Sequence, residues 1–88
     1  MKTSFRTSFA RDLKKIKQRA ILDRVGQVIA EVQAAADLSA IGNLKKITGT
    51  ASFHRILVGD YRIGVVVEGE MVEFVRCLPR RDLYRYFP

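Results

Sequence analysis

The stretch Arg55-Ile56-Leu57-Val58-Gly59-Asp60-Tyr61-Arg62-Ile63 decides the architecture. Two β-rich runs, 53–58 and 61–67, flank Gly59-Asp60, a two-residue hairpin loop with glycine first. Such a turn fixes the register, and the two-residue period of a strand then assigns every side chain to a face. Val58 opposes Tyr61, Leu57 opposes Arg62, Ile56 opposes Ile63 and Arg55 opposes Gly64. One face is then Ile56, Val58, Tyr61, Ile63, Val65 and Val67, apolar enough to receive helices. The other carries Phe53, Arg55, Leu57, Arg62, Gly64 and Val66.

Working outward, Gly69-Glu70 repeats the turn chemistry and 71–78 reads as a third strand. Continuing the register puts Val72, Phe74 and Leu78 on the core face and Glu73, Val75 and Cys77 on the other. Arg76 falls on the core side, where a bulge or an edge position must rescue it. Upstream the period changes to that of a helix. Thr7 or Ser8 can cap a segment in which Phe9, Leu13, Ile16 and Ala20 recur at three- and four-residue spacing. Ile21, Val25, Val28, Ile29, Val32 and Ala36 form a second stripe. A short strand over 2–6 opens the chain, and 37–52 reads as an irregular connection. The expected fold is α+β in one domain, 1–88: an N-terminal strand, a two-helix hairpin packed on an antiparallel sheet, and a short basic C-terminal tail.

Composition narrows the classes. The 88 residues are 48% hydrophobic, sufficient for one modest core. No apolar run reaches the ~18–20 residues of a membrane span, and no apolar segment follows the basic N-terminus as in a signal peptide. A cytoplasmic protein without membrane partners is expected. One cysteine and one histidine leave neither a disulfide framework nor a zinc site. Sixteen Lys and Arg against nine Asp and Glu give a net charge of +7, which suits a polyanion or an acidic partner. Residues 1–24 alone carry eight basic and two acidic side chains, although Lys14, Lys15, Lys17 and Arg19 read equally well as a solvated helix face.

The non-core face holds the chemistry. Arg55 and Arg62 are diagonal neighbours on it, Phe53 supplies an aromatic, and Gly64 leaves room for a ligand. A basic tail with Arg80, Arg81 and Arg85 arrives beside them. Guanidinium forks match phosphate oxygens, aromatics stack on unpaired bases, and cations stabilise charge developing on a phosphorane. Cross-strand arginines also occur as plain surface charge, and that reading stands beside the first. His54 takes the helix-facing parity and reads as structural. Cys77 packs, and Glu68, Glu70 and Glu73 are solvated at a hairpin tip. No glycine-rich phosphate loop, catalytic triad or metal motif is present, and no cofactor is implied.

The hairpin from Arg55 to Ile63, followed by Leu78-Pro79-Arg80-Arg81-Asp82-Leu83-Tyr84-Arg85, resembles the RelE/ParE toxin superfamily, in its RelE-like branch. The Phe5–Leu13 segment, its Lys-rich helix and Leu44-Lys45-Lys46 are similar as well. The resemblance implies a toxin of a bacterial toxin–antitoxin system, a metal-independent endoribonuclease that cuts mRNA in the ribosomal A site. There a ribose 2′-hydroxyl attacks the adjacent phosphate. Arg62 then matches the arginine on the scissile phosphate, and Arg80 the one that stabilises transition-state or leaving-group charge. Tyr84 matches the aromatic that orients the nucleotide, and Arg55 a basic residue of the preceding strand. Lys45, Lys46, Phe53, Arg81 and Arg85 would contact RNA. The implied partner is a cognate antitoxin, with DNA contacted only through the complex. Leu57 and Pro79 stand where many relatives have a second cation and a histidine. A ParE-like gyrase inhibitor and a catalytically weakened antitoxin-binding module are the alternatives.

Overall fold

The computed structural model describes residues 1–87. The elements run β1 (Lys2–Phe5), α1 (Thr7–Lys15), α2 (Arg19–Ala34), a 3₁₀ turn (Leu38–Ala40), β2 (Leu44–Lys46), β3 (Phe53–Val58), β4 (Tyr61–Glu68), β5 (Met71–Pro79) and α3 (Leu83–Tyr86). The strands form one sheet in the order β1-β5-β4-β3-β2. The four C-terminal strands are antiparallel, as expected, while β1 lies parallel to β5 and makes the sheet mixed. That parallel pairing follows from the connection. The chain leaves β1 through both helices and most of the sheet before β5 returns beside it.

The hairpin register is the expected one, with Arg55 opposite Gly64, Leu57 opposite Arg62 and Val58 opposite Tyr61. Both turn glycines take positive φ, Gly59 at 57° and Gly69 at 59°, which a two-residue turn requires and other residues resist. The segment 37–52 is less irregular than its composition suggests. Leu44–Lys46 pairs with His54–Ile56 as an edge strand. Three residues flanked by Gly42-Asn43 and Thr48-Gly49 are too few to display a period.

The helices divide earlier than the apolar spacing implies. α1 ends at Lys15, buried Ile16 serves as its C-cap, and Ala20 belongs to α2. Arg6, not Thr7 or Ser8, is the N-cap of α1, and it makes no side-chain cap bond. The Ser8 hydroxyl instead donates to the Val75 carbonyl at 2.6 Å. Phe9, Val25, Val32, Ile56, Val58, Ile63, Val65, Val72 and Phe74 fill the core between helices and sheet. The Phe9 and Phe74 rings meet at 5.3 Å, tilted.

A bulge in β5 resolves the misplaced arginine. Val65 pairs with Phe74 but Gly64 with Arg76, so Val75 has no partner and the parity reverses beyond it. Cys77 therefore enters the core and Leu78 the opposite face, the reverse of an uninterrupted register. Arg76 also lies on an edge, because β1 covers only Met71–Phe74. Asp12 of α1 takes that edge: its Oδ2 accepts from the Cys77 backbone N–H at 2.9 Å and from Arg76 Nε at 2.8 Å, and its Oδ1 from Arg76 Nη2 at 3.1 Å. Pro79 offers no donor, so this end of β5 presents no open ladder to another strand.

The C-terminal segment is not merely a polar tail. It returns across the non-core face as α3 and seats Leu83 and Phe87 against Val75, with Ile47, Phe53, Val66 and Leu78 around them. An added Cβ at Gly64 would lie 2.7 Å from the Phe87 ring. The space opposite Arg55 thus belongs to Phe87, which corrects the expectation of a ligand there.

Candidate phosphate-binding site

With Phe87 occupying the middle of this face, the exposed chemistry gathers between the β3–β4 hairpin, β2 and α3. Arg62 is partly buried, and its Nη1 donates to the carbonyls of Gly59 and Tyr61, each at 2.9 Å. One nitrogen is thereby tied to the turn, fixing the side chain before any ligand arrives. Burial, then the fields of Arg55 and Arg80, hold its guanidinium below the usual arginine range. An arginine remains charged at neutral pH under such a shift, so Arg62, Arg55 and Arg80 form a positive field that Asp60 offsets only in part.

Arg80 reaches this region because its backbone N–H donates to the Asp60 carbonyl at 2.8 Å, fastening the start of the tail to the hairpin tip. Asp60, Pro79, Arg80 and Arg81 line a cavity of about 320 Å³ there. Tyr84, exposed on α3, lines a second cavity of about 360 Å³ with Lys45, Lys46, Ile47, Thr48 and Arg55. Three cations and a phenol around one opening suit a phosphate beside an unpaired base.

Most of the other side chains lie outside the Tyr84 opening. Arg81 and Arg85 are exposed, Arg85 on α3. Phe53 is half-buried, its ring 5.2 Å from that of Phe87, so its area is committed largely to packing. His54 lies on the helix side, buried, with Nδ1 3.1 Å from the Ser52 carbonyl. Cys77 is buried, and burial together with Asp12 pushes its thiol up to about 12, which leaves it inert. Leu57 sits directly opposite Arg62, half-buried.

No family model matches the chain. It is, however, 39% identical over 89 residues to Toxin RelE3 of Methanocaldococcus jannaschii, with 100% of each chain covered. The chain belongs to the RelE toxin family. The toxin–antitoxin complex RelB–RelE from Methanococcus jannaschii matches this RelE-family chain with a TM-score of 0.82 at 38% identity, over 97% of this chain and 99% of that one. The YoeB dimer of Staphylococcus aureus matches at 0.71 and 12% identity, over 89% and 94%, and shares the fold.

In this RelE-family chain the fold brings Lys45, Lys46, Arg55 and Tyr84 to one opening, with Arg62 and Arg80 close enough to act on each other electrostatically. Thr48 joins that opening and was hidden in a stretch without periodicity. Asp12 and Tyr86 were also missed. The signal for Asp12 was Arg76 itself, a charge that an uninterrupted register would have placed on the core side. For α3 it was the four-residue spacing of Leu83 and Phe87.

Proposed function

We propose that this chain is the toxin of a toxin–antitoxin pair and acts as a ribosome-dependent endoribonuclease on mRNA. The observation that carries this reading is the single opening lined by Lys45, Lys46, Arg55 and Tyr84, next to Arg62, in a chain of the RelE family. The 2′-hydroxyl loses its proton and its oxygen attacks the adjacent phosphorus. The bond to the 5′-oxygen breaks, that oxygen takes up a proton, and a 2′,3′-cyclic phosphate remains. Arg62 and Arg80 stabilise the extra charge on the phosphorane, worth most where water is partly excluded. Tyr84 holds the nucleotide, Arg55 and the two lysines hold the backbone, and Arg81 and Arg85 extend the cationic track. A cognate antitoxin covers this surface. The name of the RelB–RelE complex supports that partner.

Purified protein and programmed ribosomes test the reading. Wild type should cut mRNA, and Arg62→Ala or Arg80→Ala should each lower the rate by roughly 10²–10³-fold, as for one lost oxyanion donor. Both variants should fold, since neither side chain is in the core. Toxicity without cleavage, accompanied by gyrase inhibition, would replace this reading with the ParE-like one.

A further inference from the structure

α3 has four residues, too few to hold a helical turn or an orientation without tertiary contacts. Its roll about its own axis therefore depends on what its side chains touch. Leu83 and Phe87 point into the small apolar cluster around Val75 and turn one side of the helix toward the sheet. Tyr84 and Tyr86, two residues apart, are about 200° apart around a helix and flank that buried side. Tyr84 lines the cationic opening, whereas Tyr86 lies over Arg76, whose Cζ is 5.6 Å from the ring centroid. Arg76 cannot drift, because buried Asp12 grips it through two hydrogen bonds, and Asp12 is itself pinned by the Cys77 N–H.

We propose that Asp12, Arg76 and Tyr86 are positioning residues, a contact chain from α1 through β5 that sets the roll of α3 and thereby aims Tyr84 into the cavity beside Arg55. What Tyr84 does there rests on the endoribonuclease reading; the mechanical coupling does not. Releasing Tyr86 from Arg76 frees one flank of the helix. The helix can then rock about the seat of Leu83 and Phe87, and Tyr84 on the other flank shifts with it. The planar guanidinium is required, since it is bound edge-on by the carboxylate while its face remains for the ring.

The test has two arms. In single-turnover cleavage on programmed ribosomes, Tyr86→Leu should lower the rate about two- to fivefold, the range of a cation–π contact at a partly exposed site, with ribosome affinity unchanged. Tyr86→Phe, which keeps the ring, should restore it. In a Tyr84→Ala background, Tyr86→Leu should have no further effect, because it acts only through Tyr84. An additive loss there, or an undiminished rate in Tyr86→Leu, overturns the proposal. The second arm needs no catalysis. NMR signals of the Tyr84 ring should shift in Tyr86→Leu and Arg76→Lys but not in Tyr86→Phe. If they stay in place in Tyr86→Leu, the coupling does not exist. If wild type does not cut RNA, the function falls and the NMR arm still decides the coupling. Tyr86 is 54% and Tyr84 58% exposed, so the substitutions at these two positions should fold.

Discussion

The two faces of the sheet are built from the same strands but solve different problems. Toward the helices, Ile56, Val58, Ile63, Val65, Val72 and Phe74 are all at most 1% exposed and close a conventional apolar layer. On the other side, α3 and Phe87 cover only part of the sheet, over Val75 and Gly64, and leave Arg55, Leu57 and Arg62 beside the covered patch. The first face tolerates no charge, because a buried ion without a partner costs several kcal/mol. The second couples a small core to a charged site, so that packing there positions chemistry as well as contributing stability.

The largest effect should come from breaking that coupling at Gly64. In Gly64→Ala the new methyl meets the Phe87 ring, and the tail must lift or shift. Overpacking of this kind costs about 1–3 kcal/mol. Because α3 and the segment leading to it carry Tyr84 and Arg80, cleavage should also fall, by roughly the 10²–10³-fold of a lost charge-stabilising donor. Denaturant unfolding and single-turnover cleavage measure the two losses. A stable Gly64→Ala protein with full activity would show that the tail is not seated where described.

The next effect should be a gain. Leu57 faces Arg62 at the site end of the second face, and Leu57→Lys adds a cation whose neutral form the neighbouring arginines favour. Cleavage should rise about 10²-fold, the low end for one acid–base group. Stability should change by less than about 1 kcal/mol, since the lysine stem covers the same apolar surface. The same substitution at Ile56, one residue away on the helix side, should unfold the protein. A folded Leu57→Lys variant with no gain in rate would remove Leu57 from the site.

The smallest effect belongs to the helix face and sharpens the contrast by pH. Cys77 keeps its proton in the fold up to about pH 12, whereas an unfolded thiol titrates near about 8.5. The folded state therefore loses ground as pH rises, because only the unfolded chain releases the proton. The contribution is intact below about pH 8.5 and disappears progressively toward pH 12. Relative to Cys77→Ala, wild type should lose about 1 kcal/mol between about pH 8 and about pH 9.5. Paired urea titrations would read it, and a constant difference would mean that the thiol is accessible to water.

From the sequence alone came the turns at Gly59-Asp60 and Gly69-Glu70, the register between β3 and β4, the two amphipathic helices and the nomination of Arg55, Arg62, Arg80 and Tyr84. The turns, the register, the helices and the placing of Arg55 beside Arg62 depend on contacts between residues close in the chain, or on a turn whose length dictates pairing. The roles of Arg80 and Tyr84 came instead from the family resemblance. Tertiary structure alone decided the rest. The parallel seat of β1 beside β5, the bulge at Val75, Asp12 closing an edge 64 residues away at Arg76, and Phe87 filling the space over Gly64 join distant segments. A local pattern says that Arg76 is misplaced in an uninterrupted register and that Gly64 leaves a gap. It does not say which residue comes, because that choice is made by the packing of the whole chain.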